Sequence, residues 1–411
     1  MGSMALGAAD LLTACGSLSS APSPVTSGAN EVESFEVLGD WTAGGAGAVL
    51  GSDTVNVRRG SHSLKVAANR GNYATATKSV DLDLSSHAPM GMWLYVWDAS
   101  FAGGGAVYSE EPTLGAISIY FSSSSSFDTC YKAFVSGGSL APGWNFLKFA
   151  DADWANFGSE SWSNRMVRMR LRIDPQSGKS AAVSFDSLQR NVFGKGAVAI
   201  FFDDGWERAK DEGFDYMRRY DMPGNIACVP SFTGNTGAGY LTLADLHVMN
   251  AAGWDIANHT WDHRNLATLT QAQVQEEVGQ ARVWLRAHGL RRAADHVVYP
   301  DGHFSLTAIA GLKAAGMLTG RSCVDREAAT PFITPYYYPA YTVSPTDSLA
   351  TVKGHVDDAV ERQALYILVF HQIVGLPARG ATPQWSRANF RALIDYIVAR
   401  KVRVVRISDV A

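Results

Sequence analysis

Two adjacent aspartates, Asp203 and Asp204, stand directly after the apolar run AVAIFF and before a glycine. Two neighbouring carboxylates at the end of a buried strand are unfavourable, because their negative charges repel each other and lose hydration. A cation or a set of hydrogen-bond donors beside the pair would relieve this cost. The pattern therefore indicates one side of a binding or catalytic site.

Three histidines follow other apolar stretches: His259 and His263 lie in NHTWDH, and His371 ends LVFH. Two imidazoles four residues apart suit one metal ion on one side of a helical turn, although this spacing also occurs by chance on ordinary helices. Two neutral imidazoles and one carboxylate leave a position open for water on Zn²⁺ or a similar cation. The residues thus favour a metal site in which one aspartate is a ligand and the other is a base.

The first part of the chain has the pattern of an antiparallel β-sandwich. Residues 1–30 are rich in Ser, Ala, Gly and Pro, and we expect a flexible leader there. Over residues 31–192, short apolar runs are separated by turn residues, which predicts a jelly-roll-like sandwich. The stretch RMVRMRLRID alternates most clearly, with one side formed by Val167, Met169, Leu171 and Ile173 and the other by Arg168, Arg170 and Arg172.

Residues 195–411 show a different pattern, in which seven strand-like runs alternate with helical segments. Such alternation predicts parallel strands with right-handed crossovers, here a distorted α/β barrel of about seven strands. Active sites on barrels of this kind lie at the carboxyl ends of the strands. The two aspartates and three histidines are therefore expected on one face of the barrel.

Composition excludes several classes of partner. The 411 residues carry a net charge of -4, so the chain has no basic field for nucleic acid. No apolar run approaches the roughly 20 residues of a membrane helix, so we expect no integral membrane segment. Four cysteines without C-x-x-C spacing argue against a zinc–thiolate site. The stretch LTAC, which ends at Cys15, resembles a lipoprotein cleavage box, but Asp10 interrupts its apolar part and we expect no working signal peptide.

The motifs FFDDG, HTWDH, YPDG and LVFH occur in the order that is typical of one enzyme family. From about Ala197 to the C-terminus, the sequence resembles the polysaccharide deacetylases, which are the NodB-like members of carbohydrate esterase family 4. The resemblance implies a distorted (β/α) barrel with fewer than eight strands. It also implies metal-dependent removal of N- or O-linked acetyl groups from an acetylated polysaccharide.

The resemblance assigns a role to each of the five residues singled out above. Asp203 corresponds to the catalytic base, and Asp204 to a metal ligand together with His259 and His263. His371 corresponds to the general acid that protonates the leaving group. The implied cofactor is one divalent metal, with Zn²⁺ expected and Co²⁺ or Ni²⁺ as alternatives.

The YPDG stretch resembles the loop that lines the substrate groove of this family. One of its backbone amides helps to hold the oxyanion, and we place Tyr299 in that role. Pro300, Asp301 and Gly302 are assigned to substrate binding, as is Trp206, which follows the DDG motif.

Two departures from the family pattern leave the tuning of the acid and the base without an explanation. The family often has an arginine, paired with the base, two residues before the proline, where this chain has Val298. The Asp-Trp pair that supports the acidic histidine is missing between Gly302 and Leu368. Asp325 and Asp347 are only distant candidates to replace it.

The sandwich is rich in aromatic residues and is expected to resemble a carbohydrate-binding module, with a structural Ca²⁺ as a further possibility. We interpret Trp93, Tyr95 and Trp97 as mainly core residues, and Trp154 and Trp162 as candidates for exposed stacking on sugars.

Two alternatives to the deacetylase stay open. One is a glycan-cleaving hydrolase or lyase that acts through two carboxylates. The other is a non-catalytic glycan-binding protein with a decayed deacetylase fold. A glycan substrate indicates an extracytoplasmic protein, either secreted, in the cell envelope or on a virion such as a phage tail. The sequence leaves the oligomeric state open.

Overall fold

The computed structural model of the protein describes residues 30–86, 89–97, 113–140, 142–190, 196–325, 335–378, 380 and 382–410. The predicted leader over 1–30, apart from its last residue, lies outside the described residues. So does the predicted junction between the two halves at 192–195. These boundaries therefore stay predictions.

In the described part of residues 30–190, the strands form two antiparallel six-stranded sheets, as the sequence predicted. The first sheet has the order β3-β4-β12-β6-β9, with β1 paired to β12, and the second has the order β10-β8-β7-β11-β5-β2. The strands are β1 (Glu31–Glu33), β2 (Thr42–Gly44), β3 (Val49–Asp53), β4 (Ser63–Ala68), β5 (Ala74–Asp83), β6 (Met90–Val96), β7 (Leu114–Ser122), β8 (Cys130–Ser136), β9 (Gly143–Phe149), β10 (Trp154–Phe157), β11 (Arg165–Pro175) and β12 (Ala181–Arg190).

Alternation along the strands gives each sheet one inner face, and both inner faces contribute to a single core. In β11, Met169, Leu171 and Ile173 are fully buried, as predicted. Val167 is the exception, because the register shifts between Met166 and Arg168. Met166 therefore enters the core and Val167 is exposed, which corrects the predicted pattern.

Two expectations about the aromatic residues of the sandwich are wrong. In β6 the core positions are Met92, Leu94 and Val96, so Trp93 and Tyr95 lie half-buried on the outer face of the first sheet. Trp97, just after β6, is also only half-buried. Trp154 is buried in the core instead of exposed, and Trp162 stacks on Tyr131 with ring centroids 3.9 Å apart.

The described residues from 196 onwards form an eight-stranded parallel sheet in the order β17-β16-β15-β14-β13-β19-β18, with β22 paired to β13. Its strands are β13 (Ala197–Phe202), β14 (Asn225–Cys228), β15 (Asp255–Asn258), β16 (His296–Val298), β17 (Thr319–Arg321), β18 (Tyr341–Thr342), β19 (Leu365–Phe370) and β22 (Arg403–Val404). The remaining strands, β20 (Gln372–Val374) and β21 (Gln384–Ser386), pair with each other. The helices are α1 (Asp215–Met217), α2 (Leu243–Ala251), α3 (Gln271–Ala287), α4 (Leu306–Ala314), α5 (Leu349–Glu361) and α6 (Arg387–Ala399).

The seven predicted runs correspond to all of the parallel strands except the two-residue β18, so the distorted barrel is confirmed. The central strand β13 is apolar throughout because helices cover one side and the barrel interior the other. All six residues of β13 are buried. Among the described residues, a single bridge between Arg321 and Tyr338 links the two ends of the sheet, so the barrel is incompletely closed.

Polar caps fix where the barrel helices begin. Thr242 before α2 and Thr270 before α3 each form a capping box with the residue three positions on. Such caps satisfy amides that the first helical turn leaves without partners. In the described part of the chain, no helix combines the length and apolar character needed to cross a membrane.

Polar contacts join the sandwich to the barrel. Lys148 Nζ of β9 donates to the carbonyl oxygen of Gln363 at 2.5 Å, and Arg362 pairs with Asp153 at 2.8 Å. Tyr337 donates its hydroxyl to the carbonyl oxygen of Gly138 at 3.1 Å.

Candidate active site

The carboxyl ends of β13, β15, β16 and β19 bring the candidate residues together. Phe202 and Phe370 are neighbours in the parallel ladder, so the residues that follow them, Asp203 and His371, emerge side by side. The amide of Asp203 donates to the carbonyl oxygen of Phe370 at 2.9 Å, which continues the ladder by one step. His259 follows the last residue of β15 directly.

Asp204 lies between the two histidines of the HTWDH motif. Its Oδ1 is 3.4 Å from His259 Nε2 and 3.2 Å from His263 Nε2. Its Oδ2 accepts a hydrogen bond of 2.9 Å from the indole Nε1 of Trp206. The ligand atoms of the three residues all lie within 4.8 Å of one another, a compact set for one metal ion.

The hydrogen bond on the far side of His259 shows why this cluster fits a cation. His259 Nδ1 lies 2.8 Å from the carbonyl oxygen of Val298, and a carbonyl only accepts, so Nδ1 carries the proton. In neutral His259 the lone pair of Nε2 therefore points at the carboxylate of Asp204. Two acceptors face each other, and a bound cation satisfies both. The donor set suits Zn²⁺ and similar ions.

The charges in this cluster are coupled. Burial acts to raise the pKa of Asp204, but hydrogen bonds from His259 and His263 outweigh it and hold that pKa well below its usual range. Burial acts to lower the pKa of His263, but the Asp204 carboxylate outweighs it and raises that pKa. A cation entering the site competes with protons for the same ligand atoms, so metal binding is expected to depend on pH.

The HTWDH motif is an irregular loop, and not the helical turn that its spacing suggested. Thr260 and His263 have positive φ angles of 64° and 65°, which are sparsely populated for such residues. The loop is fixed by hydrogen bonds from the Thr260 amide to Asn258 Oδ1 and from the His263 amide to Thr260 Oγ1, both at 3.0 Å. Buried Glu277 of α3 accepts the amide of Trp261 at 3.2 Å.

Asp203 stands in a different environment from Asp204. It is 3% exposed, and its Oδ2 accepts a short hydrogen bond from Nη2 of Arg321, which is 1% exposed. Its Oδ1 is buried without a hydrogen-bond partner among the described residues. One carboxylate oxygen is therefore held by a cation while the other is available to accept a proton.

Arg321 at the end of β17 supplies the arginine that the Val298 position lacks. The sequence did not predict Arg321, because the family pattern has its arginine at one fixed position before the YPDG proline. The available signal was an arginine inside the apolar run MLTGRSCV. A fully buried guanidinium needs a carboxylate partner, and burial acts to lower the pKa of Arg321 while Asp203 raises it.

Tyr299 does not fit the oxyanion role assigned to it. Its amide already donates to the carbonyl oxygen of Arg321 at 3.0 Å in the sheet. Its side chain is fully buried and donates to the carbonyl oxygen of Tyr336 at 2.9 Å. The structure thus gives Tyr299 a position in the core, which corrects the prediction.

His371 faces the site with its Nδ1 buried and unpartnered among the described residues. Burial lowers the pKa of His371, and Asp203 and Asp204 oppose this only partly. Neither distant candidate supports it in the structure. Asp325 accepts a hydrogen bond from Tyr366, and Asp347 accepts the amide of Ser344 at 2.7 Å.

Comparison with known proteins finds one matching family model. Residues 190–320 match the family model described as polysaccharide deacetylase. This region of the chain therefore resembles a polysaccharide deacetylase domain. No protein of curated function matches the sequence.

Solved structures similar to the deacetylase domain include a family 4 acetyl xylan esterase from Clostridium thermocellum in complex with cobalt. It is 16% identical, with 52% of this chain and 89% of that chain covered and a TM-score of 0.37. A family 4 carbohydrate esterase from Streptomyces lividans in complex with acetate is 16% identical. The match covers 52% of this chain and 93% of that chain, with a TM-score of 0.36. The chain is also similar to a family 11 carbohydrate-binding module from Clostridium thermocellum, at 12% identity, 40% and 96% coverage and a TM-score of 0.29.

The remaining predicted residues of the deacetylase domain surround the metal-ligand cluster. Pro300 and Gly302 are buried, whereas Asp301 is exposed and has a positive φ of 56°. A side chain at Gly302 would come within 2.7 Å of Cys323 Cβ, so this glycine is required by packing. Trp206 stacks on Tyr240 with centroids 4.4 Å apart and so contributes an aromatic wall as well as its bond to Asp204.

Among the described residues, the Asp204 cluster is the one group of three or more ligating side chains that could hold a metal ion. The structural Ca²⁺ of the sandwich stays a prediction.

Proposed function

We propose that this chain is a metal-dependent deacetylase that removes N- or O-linked acetyl groups from a polysaccharide. One observation carries the proposal. Asp204, His259 and His263 converge as a metal-ligand set beside a buried Asp203 that keeps one oxygen free. The match of residues 190–320 to the polysaccharide deacetylase family supports the same reaction.

Asp203 is the proposed base. Arg321 holds its Oδ2, which fixes the carboxylate and leaves Oδ1 to accept the proton of the attacking water. The positive charge of Arg321 also offsets the cost of burying the Asp203 carboxylate.

Asp204, His259 and His263 are the proposed metal ligands, with Zn²⁺ as the expected ion and Co²⁺ or Ni²⁺ as alternatives. A divalent ion held there would lower the pKa of water and polarise the acetyl carbonyl. Two hydrogen bonds orient the ligands before any ion binds: His259 donates its Nδ1 proton to the carbonyl oxygen of Val298, and Asp204 accepts from the indole of Trp206.

His371 is the proposed general acid, and it follows the end of β19 beside Asp203. It donates a proton to the leaving amine or alkoxide as the carbon–nitrogen or ester bond breaks. For the oxyanion donor, the amides of Tyr299, Gly302 and His303 are already engaged and Pro300 has none. We therefore assign the backbone amide of Asp301 to this role.

An acetylated polysaccharide is the proposed partner, with the sandwich as a carbohydrate-binding module. Such a substrate implies that the protein acts outside the cytoplasm, in secreted, envelope-bound or virion-associated form.

Acetate release tests the proposal. The protein is stripped with a chelator, reloaded with Zn²⁺ and offered N-acetylated and O-acetylated glycans. We expect metal-dependent acetate release that Asp203→Asn lowers about 100-fold or more and that Asp211→Asn, on an exposed carboxylate, leaves intact. The best substrate would name the glycan class.

Other outcomes would overturn the proposal. A shortened polymer without acetate would establish the hydrolase or lyase alternative. Glycan binding with neither acetate release nor chain cleavage, in protein that binds zinc, would establish the non-catalytic alternative.

A further inference from the structure

The outer face of the second sheet carries a row of cations. Arg168, Arg170 and Arg172 alternate with core residues along β11, so all three point away from the core. Arg170 pairs in register with Tyr120 of β7, and Tyr120 pairs with Lys132 of β8. We call Lys132, Arg168, Arg170 and Arg172 the basic face.

Three of the four cations on the basic face have no carboxylate partner among the described residues. Arg172 is neutralised by Asp174, which it contacts at 2.5 Å. Arg168 instead donates to Ser79 Oγ at 2.8 Å, and Arg170 donates to Thr77 Oγ1 at 3.2 Å. These three cations lie on a surface that is three strands wide. They give it a local positive charge, although the net charge of the chain is -4.

Aromatic rings stack on two arginines of the basic face. The guanidinium of Arg170 lies 3.9 Å from the ring centroid of Phe127, and that of Arg172 lies 4.2 Å from the centroid of Tyr73. Tyr73 is 46% exposed. An arginine stacked on a ring loses less conformational freedom when it binds an anion, and its planar fork matches a carboxylate.

We propose that the basic face binds an anionic polysaccharide, one whose sugars carry carboxylates. Charge complementarity selects the anionic glycan over a neutral one, and the exposed ring of Tyr73 offers a surface for a sugar. The inference rests on the proposed function and narrows its substrate class, because the sandwich would hold the same polymer that the barrel deacetylates.

The test measures binding of the full chain to polygalacturonate, with neutral xylan and double-stranded DNA as comparison polymers. Asp203→Asn protein in chelator is used, so that neither turnover nor metal contributes. We expect polygalacturonate to bind, and Lys132→Gln/Arg168→Gln/Arg170→Gln to weaken it roughly tenfold or more. Raising ionic strength from about 0.05 to 0.3 M should also weaken it.

Matched controls separate the basic face from total charge and from folding. Arg165→Gln/Arg218→Gln/Arg286→Gln removes the same charge at residues paired with aspartates and should leave binding unchanged. The single variant Arg168→Gln, which removes one surface contact, should weaken binding by a smaller factor if the triple variant fails to fold.

Several results would overturn the inference. Equal binding of xylan, equal binding of DNA, or unchanged binding in the basic-face variants would each contradict it. Loss of binding in Trp144→Ala, on the outer face of the first sheet, with the basic face unimportant, would assign the site elsewhere. Acetate release is scored separately on short acetylated oligosaccharides, so that loss of binding with intact turnover overturns this inference alone. Binding without turnover overturns only the proposed function.

Discussion

Carboxylates in the two halves of the molecule are stabilised by different kinds of neighbour. In the sandwich, Glu160 is 4% exposed and accepts hydrogen bonds from Ser123, Thr129, Ser161 and Asn164. Burial acts to raise its pKa, but these bonds lower it to about 2. In the barrel, Asp204 instead faces the ring nitrogens of two histidines.

Asp186 of the sandwich shows a third route. One of its oxygens has no partner among the described residues, and burial raises its pKa to about 6. A proton can therefore replace the missing donor. A carboxylate oxygen without a hydrogen-bond partner therefore does not by itself identify a metal site. Asp204 differs because two histidine ring nitrogens that can bind the same ion face its carboxylate, and because its pKa is lowered instead of raised.

The largest effect on acetate release should come from substituting Asp203, which is proposed to be the base and not a metal ligand. Asp203→Asn should lower acetate release about 10²- to 10⁴-fold, the usual contribution of a positioned base. Steady-state kinetics with zinc-loaded protein measures this. Wild-type turnover in the variant would mean that Asp203 is a structural carboxylate like Glu160.

The Arg321–Asp203 pair should show the cost of breaking a buried charge pair. Arg321→Met should destabilise the metal-free protein by about 3–5 kcal/mol, because it leaves the Asp203 charge buried without a partner. Urea unfolding measures the loss. Arg286→Met breaks the exposed pair with Asp295 and should cost below about 1 kcal/mol.

A double variant sharpens the same experiment. Asp203→Asn combined with Arg321→Met should recover most of the lost stability. If the double variant is as unstable as the sum of the single variants, Arg321 contributes through packing and not through Asp203.

The hydrogen bonds that Glu160 accepts in the sandwich make a contribution to stability that depends on pH. The folded-state pKa of Glu160 lies near 2, below its ordinary value of 4.5, so its contribution is complete above pH 4.5 and is lost as pH falls toward 2. Glu160→Gln should cost about 3 kcal/mol at pH 7 and flatten the decline in acid. Urea unfolding at pH 7 and about pH 3 measures it, with exposed Asp128→Asn as the control. An unchanged acid decline in Glu160→Gln would contradict the assignment.

The smallest effect is expected from Trp206, which orients Asp204 without entering the ligand set. Trp206→Phe keeps the stacking with Tyr240 but removes the bond to Oδ2, so zinc affinity should fall about tenfold. Calorimetric titration measures this affinity. Unchanged affinity with weaker glycan binding would make Trp206 a substrate residue, as the sequence predicted.

The fold was largely predictable because both halves have strong periodicity. Period-2 alternation gave the sandwich, and apolar runs between amphipathic helices gave the parallel barrel. The predictions failed where the burial of a residue depends on how neighbouring strands pair and pack. The shift between Met166 and Arg168 moved Val167 outward, and Trp93 proved to face out because size and apolarity do not set which side of a strand is covered.

Of the candidate site, the sequence supplied the clustered residues but not all of their partners. Asp203, Asp204 and the three histidines come together because parallel strands end on one face. Arg321 was missed because its contact with Asp203 spans 118 residues and follows from strand order. The oxyanion role predicted for Tyr299 is wrong because its amide is engaged in strand pairing, and no motif reveals this pairing.

The central claim is that Asp204, and not Asp203, joins His259 and His263 to hold one divalent ion. Calorimetric titration of chelator-stripped protein with Zn²⁺ tests it most directly. We expect one zinc per chain in the wild type and in Asp203→Asn, with affinity reduced about 100-fold or more in Asp204→Asn. Wild-type zinc binding in Asp204→Asn, or its loss in Asp203→Asn alone, would contradict the account.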